Sequence, residues 1–178
     1  MKKILLLLAC LSLSFLSFTI KDNEELIIHQ DKNLVEVALE NGSFSTLLSA
    51  VKAAELEWIL LGENQFTVFA PSNAAFDNLQ NGTLDSLSKL ENKDALADLL
   101  MYHVIAGKYK ASDIIKAIKD NDGVFAVDTI KGEKITLTMD NGNVVIEDAK
   151  GGESVIIMTD VDASNGVIHA IDHVLMPK

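Results

Sequence analysis

The stretch from Asn165 to Pro177 constrains the fold most, because it is a mostly apolar run close to the end of the chain. It opens with an Asn-Gly pair, which is a turn signal, and Pro177 marks its end. Strand periodicity places Val167, His169, Ile171, His173 and Leu175 on one side, and Ile168, Ala170, Asp172, Val174 and Met176 on the other. Because both sides are mostly apolar, we predict a strand that is buried between two layers. Such a strand needs partners from earlier in the chain.

The first 20 residues have the form of a secretory signal. Lys2 and Lys3 precede a 17-residue stretch, Ile4 to Ile20, that holds 13 apolar residues and no charge. We predict that residues 1–20 are a signal peptide that takes no part in the fold. An uncleaved anchor is the less favoured alternative, because 17 residues lie at the short limit for crossing a bilayer.

Cys10 offers a second way to reach a membrane. The sequence Leu7-Leu8-Ala9-Cys10 is similar to a bacterial lipoprotein cleavage box, which would leave a lipid on Cys10. The residues after Cys10 stay apolar to Ile20, however, so we favour a small apolar residue within the signal. We expect a secreted, periplasmic or cell-envelope protein that meets a membrane only through a lipid on Cys10 or an uncleaved signal. Cysteine is absent after this position, which excludes disulfides and thiolate metal sites.

The charge of the exported part is strongly negative. After Ile20 the chain carries 13 lysines against 26 acidic residues, a net charge near −13, and it has no arginine. Arginine is the preferred residue for bidentate contacts to phosphate and guanine. We therefore expect no nucleic-acid partner and no docking on an anionic membrane surface.

Helical patterns fill the first half of the chain. Residues 21–32 are mostly polar and are predicted to be a linker or N-terminal arm, followed by one domain over residues 33–178. Asn33 and Glu36 form a capping-box pattern, and Ser43 is predicted to cap the next helix. Further helices are predicted over Leu84–Leu90 and Ala95–Met101, and after Ser112.

Strand patterns dominate the second half. Phe66–Ala70 is an early β-branched and aromatic strand, whereas from Gly123 onward the apolar period changes to two. Asn141-Gly142 predicts a hairpin, and Val155–Met158 a further strand. Helices followed by strands in one domain predict an α+β fold.

Three stretches resemble the signature motifs of the fasciclin domain family. The first is Phe66-Thr67-Val68-Phe69-Ala70-Pro71-Ser72-Asn73-Ala74-Ala75-Phe76, the second runs from Asn165 to Pro177, and Tyr102-His103-Val104-Ile105 between them is similar to the family's Tyr-His motif. The resemblance covers about Asn33 to Lys178 and implies a β-wedge or sandwich with helices packed against it. It also implies that the two outer motifs pair as strands near the centre of the fold.

The resemblance further implies an adhesion role rather than catalysis. In animal members the Tyr-His region and nearby Asp-Ile pairs engage integrins, which makes Tyr102, His103, Asp113 and Ile114 the candidate binding surface here. The alternative for Tyr102 and His103 is core support. The helical stripe through Leu96 turns His103 inward, and a buried tyrosine hydroxyl must find a partner.

The histidines give no assembled catalytic or metal site in the sequence. Four strand residues span roughly 13 Å, so His169 and His173 cannot share one metal ion. We expect His169 to be a buried, hydrogen-bonded core histidine, His173 to be exposed, and Asp172 to point away from both. Asp160–Asn165 looks slightly like a calcium loop but lacks the Gly and distal Glu of an EF-hand. No metal or cofactor is expected.

The sequence thus favours an exported, non-enzymatic binding module that contacts an extracellular or envelope protein or glycan. The alternative is a carrier that holds a small apolar ligand in a groove between the helices and the β-wedge. The sequence does not locate such a groove, and it leaves the oligomeric state open.

Overall fold

The computed structural model describes residues 32–62, 64–79 and 92–178. Within them the helices are α1 (Leu34–Glu40), a 3-10 turn (Gly42–Phe44), α2 (Ser45–Ala53), α3 (Glu57–Leu61), α4 (Asn73–Asp77), α5 (Lys93–Tyr102) and α6 (Ala111–Asp120). None of these helices has the length and apolar character needed to cross a membrane. The predicted helix at Leu84–Leu90 lies outside the described residues.

The strands of the described residues form one seven-stranded sheet. They are β1 (Phe66–Pro71), β2 (Val104–Ala106), β3 (Val124–Asp128), β4 (Lys134–Asp140), β5 (Asn143–Glu147), β6 (Glu153–Ala163) and β7 (Gly166–Ile171). The strand order is β2-β1-β7-β6-β5-β4-β3. Thr129, just after β3, forms an isolated antiparallel bridge with Ile105 of β2, so the two edges of the sheet nearly meet. The α+β wedge that the sequence predicted is confirmed.

The two outer motifs pair at the centre of this sheet. β1 and β7 are parallel and in register from Phe66 opposite Gly166 to Pro71 opposite Ile171. Every residue of both strands is buried. Gly166 is required by this pairing, because a Cβ there would lie 2.1 Å from the carbonyl oxygen of Phe66. The predicted pairing of the motif strands is therefore confirmed.

The central strands separate two apolar cores. Val68 of β1 and Ile168 of β7 face the first core, which they share with α1, α2 and α5. Phe69 and Ile171 face the second core, which lies against α6 and the β4–β5 hairpin. This arrangement confirms a strand buried between two layers.

Three predicted boundaries differ from those in the structure. Ser43 does not cap α2, because Asn73 of α4 accepts the backbone N–H of Thr46 at 3.0 Å instead. Helix α6 begins at Ala111 rather than after Ser112, and Asp160 of β6 accepts the Ala111 N–H at 2.8 Å. β7 ends at Ile171, short of the predicted Met176. The capping box of Asn33 and Glu36 is confirmed.

Candidate functional site

The structure buries three of the four residues predicted to form the binding surface. Tyr102 and Ile114 are fully buried in the second core, and the side chain of His103 is 2% exposed. Asp113 alone lies at the surface. A partner therefore cannot contact Tyr102, His103 or Ile114 in this conformation, and only Asp113 stays a candidate contact.

Tyr102 supports the core through its hydroxyl group. The hydroxyl donates to the carbonyl oxygen of Lys134 and accepts the N–H of Ala149, both at 2.9 Å. Burial raises the pKa of Tyr102. The phenol thus joins the end of α5 to β4 and to the segment after β5 in its neutral form.

His103 bridges α5 and the last residues of the chain. Its Nδ1 lies 2.8 Å from the carbonyl oxygen of Leu99 and must donate, so Nε2 accepts the N–H of Leu175 at 2.9 Å. Burial lowers the pKa of His103 to about 4. The ring is neutral near pH 7, as the acceptor role of Nε2 requires.

His169 holds a surface loop from inside the sheet. Its Nε2 donates to the carbonyl oxygen of Tyr109 at 2.9 Å, and Nδ1 accepts the N–H of Asp160 at 3.3 Å. The ring is fully buried and stacks on Phe69, with 5.9 Å between the centroids. Burial lowers the pKa of His169 as well. The prediction of a buried, hydrogen-bonded histidine is confirmed.

The loop between β2 and α6, residues 107–110, is fixed at several other points. The Thr67 hydroxyl donates to the carbonyl oxygen of Gly107 at 2.7 Å and accepts the N–H of Tyr109 at 2.9 Å. Lys108 and Lys110 each form an ion pair of 2.8 Å with Asp162. Burial opposes ionisation of Asp162, but the two lysines outweigh it and lower its pKa.

This loop and the neighbouring part of β6 both carry exposed side chains, and we call the two segments together the loop face. Its apolar members are Ile157, 56% exposed, and Met158, 43% exposed. Its polar members are exposed side chains of both charges: Lys108, Lys110, Asp113 and Asp160. The β6 backbone bulges away from β7 between Ile156 and Val161, which turns this segment toward solvent.

The segment after β7 corrects the predicted orientation of Asp172. Because the strand ends at Ile171, alternation no longer separates Asp172 from His173, and Asp172 Oδ1 lies 2.9 Å from His173 Nδ1. Oδ1 also accepts the N–H of Val155 at 2.7 Å and the hydroxyl of Ser154 at 3.1 Å. Burial opposes ionisation of Asp172, but these hydrogen bonds outweigh it and lower its pKa. Ser154 is buried and its hydroxyl is occupied, so this group holds the chain end rather than presenting a nucleophile.

Asp160–Ala163, in the stretch that looks slightly like a calcium loop in the sequence, is the end of β6 in the structure. Asp160 and Asp162 lie within β6, and their carboxylates bind the Ala111 N–H and the two loop lysines. Across residues 32–62, 64–79 and 92–178, no cluster of three or more His, Cys, Asp or Glu side chains could hold a metal ion.

Asn165 is a structural residue that the sequence pattern did not single out. Its Oδ1 accepts the N–H of Leu34 at 2.9 Å, and its Nδ2 donates to the carbonyl oxygens of Leu60 at 2.7 Å and Gly62 at 2.9 Å. The Asn-Gly pair was interpreted only as a turn signal. The one further signal in the sequence was its place at the head of a family motif.

Comparison with known proteins gives a consistent result. The family model described as the fasciclin domain matches residues 42–177. Protein sll1483 of Synechocystis is 45% identical over 144 residues, covering 81% of this chain and 73% of that protein. Immunogenic protein MPB70 of Mycobacterium bovis is 32% identical, covering 80% and 68%. Transforming growth factor-beta-induced protein ig-h3 of Sus scrofa is 32% identical, but the match covers only 19% of its length.

A solved structure shows the same fold. It is a FAS1 domain pair from the insect cell adhesion molecule Fasciclin I, with a TM-score of 0.72 and 18% identity. The match covers 82% of this chain and 51% of the pair.

Proposed function

The chain belongs to the fasciclin domain family, and from this premise we propose that it is an exported, non-enzymatic adhesion module. Its partner is an extracellular or envelope protein or glycan. The secretory form of residues 1–20 supports export. The similarity of the fold to that of the insect cell adhesion molecule Fasciclin I supports a role in binding. The observation that carries the proposal is the loop face, where a firmly held loop presents exposed charged side chains and the neighbouring segment of β6 presents exposed apolar ones.

The loop face is suited to binding because it loses little freedom when a partner docks. Thr67 and His169 hold the loop backbone from the interior, and Asp162 holds both loop lysines. Preorganised surfaces bind with a smaller entropic cost than mobile ones. Ile157 and Met158 supply apolar contact area, while the charged side chains of the loop supply direction.

The charge of the protein narrows the class of partner. A net charge of −11 without arginine disfavours nucleic acid and anionic lipid, as the sequence predicted. The loop face carries lysines and carboxylates together, which favours a protein or a glycan with mixed polar groups.

A binding measurement with matched variants tests this assignment. Native envelope extract from the host is passed over the immobilised protein, and the captured material is compared for wild type, Ile157→Glu and Leu39→Glu. Leu39 is equally exposed, at 56%, but lies on α1 outside the loop face. Loss of capture with Ile157→Glu alone supports the proposal. Equal capture by all three proteins contradicts it. A host strain that lacks the gene but attaches to surfaces as well as the wild-type strain also contradicts it.

The second candidate function, a carrier of a small apolar ligand, is favoured by one observation. Two apolar cavities lie next to each other beneath α3, on the far side of the central sheet from the second core.

A further inference from the structure

We propose that the N-terminal arm of the chain docks on the outer face of α3 through its apolar run Leu26-Ile27-Ile28. This inference depends neither on the loop face nor on the carrier function. The outer face consists of Trp58, 71% exposed, and Leu61, 53% exposed. The two residues are three positions apart on one helix, so their side chains are neighbours.

Helix α3 is apolar on both sides, although only its inner side packs on the domain. Its sequence is Glu57-Trp58-Ile59-Leu60-Leu61, in which four of the five residues are apolar. Ile59 and Leu60 pack against the first core, whereas Trp58 and Leu61 are exposed. Helices that are apolar all round are normally covered all round, and exposed tryptophan in an apolar patch is typical of a contact surface. We therefore expect a second element on the outer face.

The chain enters the domain close to this face. The carbonyl oxygen of Lys32 accepts the N–H of Ser164 at 2.8 Å. Asn165, the next residue, donates to the two backbone carbonyl oxygens on either side of Leu61, at 2.7 and 2.9 Å. The turn formed by Ser164 and Asn165 thus joins the point where the arm begins to the end of α3.

The arm carries apolar side chains within reach of the outer face. Residues 21–31 lie outside the described residues, and they contain the run Leu26-Ile27-Ile28 between polar flanks. Ile28 is four positions before Lys32 and Leu26 is six positions before it. Extended chain of these lengths spans at most about 14 and about 22 Å. Three residues of helix advance about 4.5 Å, so Trp58 lies within the same reach as Leu61.

The tether favours the arm over a separate molecule as the occupant. A segment joined to the domain beside its docking site has an effective concentration in the millimolar range, so a contact of a few side chains is enough. A separate protein needs about 800 Å² on its side for a stable complex, whereas one aromatic side chain supplies about 150–250 Å². A second copy is further disfavoured by the net charge of −11, because like charges repel.

Trp58 reports on this contact directly, because it is the single tryptophan of the chain. The exported protein is titrated with acrylamide while Trp58 emission is recorded, for wild type and for the triple variant Leu26→Ser, Ile27→Ser, Ile28→Ser. We expect quenching of the triple variant to be about twofold stronger and its emission to lie at longer wavelength, because the indole is no longer shielded from water. Asp22→Ser with Asn23→Ser, in the polar part of the arm, is the matched control and should behave like wild type. Equal quenching of wild type and the triple variant overturns the proposal.

A double-mutant cycle tests whether the arm meets α3. Leu61→Ser removes part of the outer face and should increase quenching in the wild-type protein but not in the triple variant. Val124→Ser, at a 47% exposed position of β3, should change quenching in neither. An equal increase from Leu61→Ser in both proteins overturns the proposal. If circular dichroism shows that Leu61→Ser does not fold, the triple variant decides alone, because its substitutions lie outside the domain.

Other occupants of the outer face give different results in the same measurement. Protection of Trp58 that appears only as the protein concentration rises indicates a second copy. Protection that appears only after phosphatidylcholine vesicles are added indicates a membrane surface. Either result overturns docking of the arm.

Discussion

The side-chain oxygen of Asn165 accepts the backbone N–H of Leu34 at 2.9 Å, across 131 positions of sequence. The N–H groups in the first turn of a helix have no partner within the helix. Asn33 satisfies those of Val35 and Glu36, and Asn165 satisfies that of Leu34. The turn that begins β7 thus completes the N-terminus of α1, while the same side chain holds the end of α3.

Asn165→Ala should lower the free energy of unfolding by about 3 kcal/mol. The substitution leaves the buried N–H of Leu34 and the half-buried carbonyl oxygens of Leu60 and Gly62 without their partner. An unsatisfied buried group costs about 1–3 kcal/mol, and a half-buried one costs less because water can reach it. Urea denaturation followed by circular dichroism measures the loss. Asn143→Ala, at an exposed position of β5, is the control and should change stability by less than ~0.5 kcal/mol. Equal effects of the two substitutions would show that Asn165 is not a structural clamp.

Gly166→Ala should cost more than about 3 kcal/mol or prevent folding, because the added Cβ overlaps the Phe66 carbonyl in the central β1–β7 pair. Gly42→Ala is the control, since a Cβ there meets nothing within 4 Å. Thermal unfolding of both variants gives the comparison. A Gly166→Ala protein as stable as Gly42→Ala would mean that β1 and β7 are not this close.

The sequence predicted the elements whose signals are local. The capping box at Asn33, the hairpin at Asn141-Gly142 and the period-two strands each depend on neighbouring residues, and the structure contains them. The pairing of Phe66 with Gly166 is not a local signal, and only the resemblance to a family supplied it.

The sequence failed where distant side chains decide local structure. Asn73 caps α2 and Asp160 caps α6, although both residues lie far from these helices in the chain. The predicted caps of the two helices, Ser43 and Ser112, were therefore wrong. Likewise, Asp172 turns toward His173 because the ladder ends at Ile171. The loop face was not predicted because β6 bulges at Ile157 and Met158, and both side chains are exposed. A bulge breaks the alternation of side chains on which the sequence prediction of a strand depends.

Tyr102→Phe should destabilise the fold by about 2 kcal/mol, because removing the hydroxyl leaves the Ala149 N–H and the Lys134 carbonyl without their partner. Tyr109→Phe, at a half-buried position, is the comparison. If Tyr102 only supports the core, any loss of partner binding should follow the loss of folded protein. Reduced capture by a Tyr102→Phe protein of wild-type stability would instead restore Tyr102 as a contact residue.

Acidification should destabilise the protein before its carboxylates titrate. The folded-state pKa of His103, about 4, lies below its ordinary value of 6.5, so the unfolded chain binds the proton more tightly. The contribution of His103 is therefore fully present above about pH 6.5 and is lost as the pH falls toward 4. The loss between pH 7 and pH 5 should be about 2 kcal/mol. The lowered pKa of His169 acts in the same direction.

The effect of the carboxylates on stability can be told apart from that of His103, because the carboxylates titrate at lower pH. The pKa values of Asp162, Asp172 and Glu133 are lowered from 3.8, 3.8 and 4.5, so their contributions are lost only below those values. Urea denaturation at a series of pH values should therefore show a first decline between pH 6.5 and 5. His103→Gln, which cannot take up a proton, should show a smaller decline over that range than wild type. A wild-type stability that stays constant or rises from pH 7 to pH 5 would contradict a buried neutral His103.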